Sequence, residues 1–115
     1  MKNKSTISIS GIKEIYENYD AFILDQWGVM HDGNQGYIHA ISCIEKLIKK
    51  NKILTIISNS SKRKDSTKLH LPQLGYNPQF FKEVMTSGEM IWQSLANQSH
   101  KETKNLGKNC FHIYD

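Results

Sequence analysis

Short apolar runs alternate with segments of helical periodicity along this chain. Four consecutive apolar residues, Ala21–Leu24, end at Asp25 and are followed by several glycines. A run this short and continuous is typical of a strand buried on both faces, as in a parallel sheet. Similar runs predict three more strands, at residues 53–57, within 80–85 (centred on 84–85) and at 110–114. The β-branched run at 53–57 favours a central strand.

The segments between these runs have the periodicity of helices. The clearest begins at Tyr37, ends near Asn51 and carries an apolar stripe of Ile38, Ile41, Ile44, Leu47 and Ile48. Three further helices are predicted: a short one from Ser10 to Asn18, one from Lys62 to just before Pro72, and one after Thr86. Thr86 and Glu89 have the spacing of a capping box. The buried face of that last helix would use Met90, Ile91, Leu95 and Trp92.

Strands that alternate with helices through short links imply parallel pairing and right-handed crossovers. We therefore predict an α/β fold, a three-layer Rossmann-like arrangement around a parallel sheet. A length of 115 residues allows one domain at most. Residues 1–9 would form a polar tail and residues 10–115 the domain.

Two strand ends carry polar side chains suited to phosphate chemistry. Asp25 follows the first strand and Ser58 follows the second, so parallel pairing would bring both to the ligand-binding edge of the sheet. A carboxylate can attack phosphorus if a cation screens the charges and donors hold the phosphoryl oxygens. The Ser58 hydroxyl, the Asn59 amide and free N–H groups of the next helix could be those donors. A turn aspartate and a helix-capping serine are the alternative interpretations.

Three segments resemble motifs of the haloacid dehalogenase-like hydrolase superfamily, in the form found in its subclass IIA. Residues 21–33, AFILDQWGVMHDG, are similar to motif I, and residues 53–61, ILTIISNSS, to motif II. Residues 84–89, VMTSGE, resemble the Thr-Ser segment before the next helix. Order and spacing agree, and the resemblance runs from about Tyr19 to the last residue.

The resemblance implies roles for individual residues. Asp25 matches the nucleophile that is transiently phosphorylated and also binds Mg²⁺, and Ser58 matches the phosphate-binding hydroxyl. Trp27 would bind Mg²⁺ through its backbone carbonyl. The implied activity is Mg²⁺-dependent hydrolysis of a small phosphate ester.

Two departures from the family pattern change this expectation. Trp27 stands where most of these phosphatases have a second Asp as general acid, and Trp cannot transfer a proton at neutral pH. His31 and Asp32 are the nearby candidates to replace it. The family's later lysine and acidic motifs have no counterpart here. The chain thus resembles an incomplete core, without the cap and C-terminal strands, and we expect it to be inactive alone.

The composition of the chain disfavours several other classes of function. The formal net charge is +4, with many lysines between residues 46 and 68, but no aromatic-interleaved basic pattern accompanies them, which disfavours nucleic-acid binding. No stretch has the length of a membrane span, and the start does not resemble a secretory signal. A cytoplasmic location is expected, with Cys43 and Cys110 as buried thiols.

Two other functions remain open. The chain could be a non-catalytic remnant or accessory domain that binds a phosphate-bearing ligand or a partner chain. A receiver-type phosphoacceptor domain fits less well, because the paired acids before its phosphoacceptor strand are missing. Without further strands, Ala21–Leu24 would lie at a sheet edge, which favours self-association or a companion chain.

Overall fold

The computed structural model describes residues 6–107, 109–111 and 113. Three parallel strands form one sheet: β1 Ala21–Leu24, β2 Ile53–Ser58 and β3 Phe81–Thr86, in the order β1-β2-β3. Each is followed by a helix: α1 Ile38–Lys49, α2 Lys64–His70 and α3 Ser87–Asn97. Short 3₁₀ turns lie at Ile12–Glu14, Tyr16–Asn18, Leu71–Leu74 and Pro78–Phe80. The predicted parallel α/β fold is confirmed.

The hydrophobic core lies on one face of the sheet. Phe22 pairs with Leu54 and Leu24 with Ile56, so these four side chains share that face. The core residues that are almost wholly buried are Met30, Ile44, Leu47, Leu54, Ile56, Leu71, Leu74, Tyr76, Phe81 and Val84. α1 therefore contacts the sheet through its apolar stripe, although Ile38, which was predicted to belong to that stripe, is 76% exposed.

The opposite face of the sheet is open, so the prediction that β1 is buried on both faces is wrong. Ile23 is 72% exposed, and Ile53 and Ile57 on β2 are about half exposed. The strand order explains this, because both crossovers step in the same direction and right-handed crossovers then place both helices on one face. β1 also lies at one edge of the sheet that the structure describes, as expected.

The helix ends differ from the sequence prediction in three places. Residues 12–18 form two 3₁₀ turns rather than one helix. α2 begins at Lys64 rather than Lys62, and Pro72 lies inside the following 3₁₀ turn, which Gly75 closes in a left-handed conformation (φ 85°). Proline is tolerated there because the first N–H groups of a helical turn need no partner within the turn.

The predicted buried face of α3 is wrong. The side chains at issue are about half exposed: Met90, Ile91, Trp92 and Leu95. The side of α3 that packs on the protein is polar and carries Glu89, which is 2% exposed. Apolar periodicity identified the helix but not the direction in which it faces.

The structure also differs from the sequence prediction at β3 and near the last residues. β3 extends further than predicted, from Phe81 to Thr86. Cys110, Phe111 and Ile113 belong to no helix or strand, and the rest of the predicted strand at 110–114 lies outside the described residues, as do residues 1–5 of the predicted tail. Cys110 is exposed and Cys43 is only partly buried, so the prediction that both are buried thiols is wrong. Within the described part of the chain, no helix has both the length and the apolar character needed to cross a membrane.

An isoleucine-to-alanine substitution should lower stability by different amounts on the two faces of the sheet. Ile56→Ala should lower the free energy of unfolding by about 2–5 kcal/mol, because Ile56 is fully buried. Ile23→Ala on the neighbouring strand should cost about 1 kcal/mol or less, mainly through strand propensity. Urea denaturation of both variants measures this difference, and equal losses would mean that Ile23 is also covered.

Candidate active site

Polar residues end all three strands at the same edge of the sheet. Asp25 follows Leu24, whose partner on β2 is Ile56, and Ser58 lies two residues beyond Ile56. Ser58 in turn pairs with Thr86 at the end of β3. Because neighbouring strands are about 4.8 Å apart and rise about 3.3 Å per residue, the Asp25 and Ser58 backbones lie about 6 Å apart. Both predicted residues therefore lie at the carboxyl edge, where α/β proteins bind ligands.

The Ser58 hydroxyl is buried and already oriented. Ser58 is 5% exposed, and its Oγ accepts a hydrogen bond from the Ser60 N–H at 3.2 Å. A hydroxyl that accepts one bond still has its own proton to donate. Asn59 is exposed at the same turn. These two side chains can offer donors to an anion at the sheet edge.

The Asp25 carboxylate is exposed and accepts a hydrogen bond from the Gln26 N–H at 2.8 Å. The chain then folds into a tight loop, in which the Gln26 carbonyl accepts from the Met30 N–H at 2.8 Å. The Trp27 ring covers Gly33, where a Cβ atom would overlap the ring and where φ is 100°. The glycine is needed both for this backbone conformation and for the contact.

The two candidates for a substitute general acid are held in other roles. His31 is 5% exposed and its Nδ1 accepts from the Gly33 N–H, while burial, with a smaller contribution from His70, lowers its pKa. Asp32 accepts from the N–H groups of Gln35 and Asn34, which lower the pKa of its carboxyl. At neutral pH neither side chain carries an acidic proton ready for a leaving group.

Beside this edge, an ion pair between the partly exposed Arg63 and the buried Glu89 links the β2–α2 loop to α3. The Arg63 Nε donates to Glu89 Oε2 at 2.7 Å, and the Arg63 guanidinium carbon lies 3.6 Å from the centre of the Trp92 ring. The Lys64 N–H and the Gln93 amide also donate to the Glu89 carboxylate, at 3.3 and 3.0 Å. The Arg63 hydrogen bond is the main cause that lowers the pKa of Glu89 to about 2.

Backbone contacts reinforce the same link. The Gly88 N–H donates to the Ser60 carbonyl at 3.0 Å, and the Thr86 hydroxyl donates to the Lys62 carbonyl at 2.6 Å. Thr86 also caps α3 by accepting from the Glu89 N–H, which confirms the predicted cap. The Glu89 carboxylate does not complete the reciprocal capping box, because it binds Arg63 instead.

Sequence reasoning missed this ion pair, although a signal was present. Three consecutive cations, Lys62 to Lys64, precede or open α2, where positive charge opposes the helix dipole and an anion would relieve it. The Glu89 carboxylate is such an anion, and it comes from a helix 25 residues further along the chain. It also binds the Lys64 N–H, so that helix amide is not free for phosphate as the sequence suggested.

Few candidate metal ligands gather in the part of the chain that the structure describes. No group of three or more His, Cys, Asp or Glu side chains there lies close enough to hold an ion. At the sheet edge, Asp25 offers a carboxylate and Trp27 a backbone carbonyl. Both are oxygen ligands of the kind Mg²⁺ prefers, and Mg²⁺ is often held by one or two carboxylates together with substrate phosphates.

Comparison with known proteins decides the family. A family model described as haloacid dehalogenase-like hydrolase matches residues 22–114, which is most of the chain. The chain belongs to this family. Its match includes the segments that end at Asp25, Ser58 and Glu89, so the resemblance to the haloacid dehalogenase-like superfamily is confirmed.

A solved structure agrees with this assignment. A haloacid dehalogenase-like hydrolase from Brucella suis 1330 superimposes with a TM-score of 0.67 and 25% sequence identity. The match covers 75% of this chain but 32% of the other, so the haloacid dehalogenase-like chain described here spans about a third of that protein. A search of curated protein sequences finds no match.

The buried Glu89 carboxylate predicts a defined pH dependence of stability. Its pKa is about 2 in the folded chain and about 4.5 when unperturbed, so its contribution is complete above pH 4.5 and is lost as the pH falls through 2. The Tm of Glu89→Gln should lie below wild type at pH 7, and the gap should close between pH 4.5 and 2. Thermal unfolding across this range measures it.

Glu45→Gln is the matched control for that measurement, because Glu45 is exposed on α1. Its Tm should stay close to wild type throughout the range. A Glu89→Gln gap that does not change with pH would mean that the carboxylate charge is not what stabilises the contact.

Proposed function

We propose that this chain is the nucleophile-bearing, N-terminal part of a Mg²⁺-dependent phosphate-ester hydrolase of subclass IIA, acting on a small phosphorylated substrate in the cytoplasm. The observation that supports it most is the position of Asp25 and Ser58 at the carboxyl ends of neighbouring parallel strands. In a haloacid dehalogenase-like chain, this arrangement offers one nucleophile and one hydroxyl donor to the same phosphoryl group.

The chemistry would divide between two steps. An oxygen of the Asp25 carboxylate attacks phosphorus, the bond from phosphorus to the ester oxygen breaks, and the leaving oxygen takes up a proton. Water then attacks the acyl phosphate, which regenerates the carboxylate and releases inorganic phosphate. Ser58 and Asn59 would donate hydrogen bonds to the phosphoryl oxygens as charge builds up on them.

A bound Mg²⁺ would screen the negative charges of the carboxylate and the phosphoryl group from each other. Asp25 and the Trp27 carbonyl would hold it from this chain. One carboxylate is a small share of a magnesium site, and no described cluster of acidic side chains adds to it. The remaining ligands would come from water, from the substrate or from another part of the functional protein.

The leaving group also lacks a proton donor in the described residues near Asp25. Trp27 cannot supply one, the Asp32 carboxyl is held in its charged form, and the pKa of His31 is lowered by burial. The small number of magnesium ligands and the missing proton donor both support the proposal that the chain alone has no catalytic activity.

The isolated chain should therefore give no measurable Mg²⁺-dependent turnover of a generic phosphate ester such as p-nitrophenyl phosphate. A steady-state assay at high enzyme concentration tests this, with Asp25→Asn as the matched control for contaminating phosphatase. Turnover in wild type that disappears in Asp25→Asn would show that the chain is a complete catalyst.

Binding of inorganic phosphate tests the site without needing catalysis. In metal-free buffer, Asp25→Asn should bind phosphate several-fold more tightly than wild type, because a like charge about 4 Å away costs about 1 kcal/mol or more. Ser58→Ala should bind about tenfold more weakly, since one donor to a charged group is lost. NMR titration of the backbone amides around Asn59 measures both affinities. Identical affinities in all three proteins would place the phosphate elsewhere.

A non-catalytic role is the second candidate function. The open sheet face and the exposed edge strand favour a chain that binds a phosphate-bearing ligand or a partner chain, or that self-associates through its edge. Under this alternative, Ser58→Ala still weakens phosphate binding. No companion polypeptide would then produce activity that Asp25→Asn abolishes.

A further inference from the structure

The turn that carries the proposed phosphate donors is not fixed by its own sequence. Asn and Ser side chains bind nearby backbone groups and support several turn conformations. Here the Ser60 N–H donates to Ser58 Oγ and the Lys62 N–H donates to Ser60 Oγ, both at 3.2 Å. Two local hydrogen bonds of this length do not by themselves fix the position of the turn. Contacts with neighbouring elements must therefore fix it.

The first turn of α3 supplies that position. It contacts the β2–α2 loop at successive points: the Gly88 N–H holds the Ser60 carbonyl, the Thr86 hydroxyl holds the Lys62 carbonyl, and the Glu89 carboxylate holds the Lys64 N–H. These bonds come from the β3–α3 junction and the first turn of α3, and together they span the loop from Ser60 to the start of α2. A shift of α3 would therefore move the loop with it.

Gly88 sets how closely the two elements approach. A Cβ atom at this position would overlap the Ser61 carbonyl and would lie 2.8 Å from the Lys62 carbonyl oxygen. Both are backbone atoms, which cannot rotate away as a flexible side chain can. Any larger residue at 88 must push the loop away from α3, even where α3 itself stays folded.

The Glu89 carboxylate also holds α3 close to the β2–α2 loop. The side chain is 3% exposed, and a carboxylate at this depth needs several donors to offset its lost hydration. Arg63, Lys64 and Gln93 supply them, and the Trp92 ring lies against the guanidinium. The Arg63 side chain is 40% exposed, so the pair joins a partly exposed cation of the loop to a buried carboxylate of α3 and connects the two elements directly.

We propose that Gly88 and Glu89 are positioning residues, which hold the Ser58–Asn59 turn in the conformation that binds the phosphoryl group. This rests on the proposed function. The two residues act through the loop and make no contact with phosphate themselves. Their effect should therefore appear in phosphate affinity beyond what a loss of stability explains.

Phosphate titration by NMR, in metal-free buffer, tests this on the full 115-residue chain. Glu89→Gln and Gly88→Ala should each weaken binding of inorganic phosphate about tenfold and shift the amide signals of Asn59 and Ser60 before phosphate is added. Ile44→Val, in the core contributed by α1, is the matched control. It lowers Tm without touching the loop, and its phosphate affinity should equal that of wild type.

A double variant separates positioning from a direct contact. If Glu89 acts only through the turn, Ser58→Ala/Glu89→Gln should bind phosphate less weakly than the sum of the two single effects predicts. Wild-type affinity in Glu89→Gln, or an equal loss in Ile44→Val, would overturn the inference while leaving the proposed function intact. If wild type shows no Ser58-dependent phosphate binding, the proposed function fails and the inference fails with it.

Discussion

The parallel pairing of β2 with both of its neighbours is the constraint on which the site depends. The register joins Leu24 to Ile56 and Ser58 to Thr86, so three chain segments distant in sequence end at one edge. Since β2 is central, its burial on the core face also fixes which side chains of β1 and β3 face the same way. A slip of one residue in this pairing would turn Ser58 to the other face.

The second constraint is the contact of the β2–α2 loop with α3. It consists of one backbone hydrogen bond, from Gly88 to Ser60, of the Thr86 hydroxyl bond to Lys62, and of a carboxylate buried among donors. Contacts of this kind destabilise the fold when a hydrogen bond is missing, because a buried polar group without its partner has lost its hydration and gained no bond in return. When every bond is made, they favour one arrangement of the two elements. The described buried side chains on both sides are all satisfied. On the side of β2 and β3, the site edge is therefore held by several complete hydrogen bonds.

On the side of β1 the structure is more open. Asp25 is exposed and lies at the edge strand, while the outer face of the sheet leaves Ile23 and its neighbours accessible. The apolar side of α3 is exposed as well. The chain, which spans about a third of the Brucella suis hydrolase, therefore exposes apolar surface both on the outer face of the sheet and on α3.

The sequence by itself determined the three strands, their parallel direction, the long helix α1, the cap at Thr86 and the family, because these depend on local periodicity and on motif spacing. It also placed Asp25 and Ser58 at one edge, since parallel strands carry their carboxyl ends together. Which faces are covered was decided only in three dimensions: the direction of both crossovers left Ile23 exposed, and α3 turned Glu89 rather than its apolar residues inward. The Arg63–Glu89 pair joins residues 26 positions apart, and no local pattern encodes a contact that depends on how two helices meet.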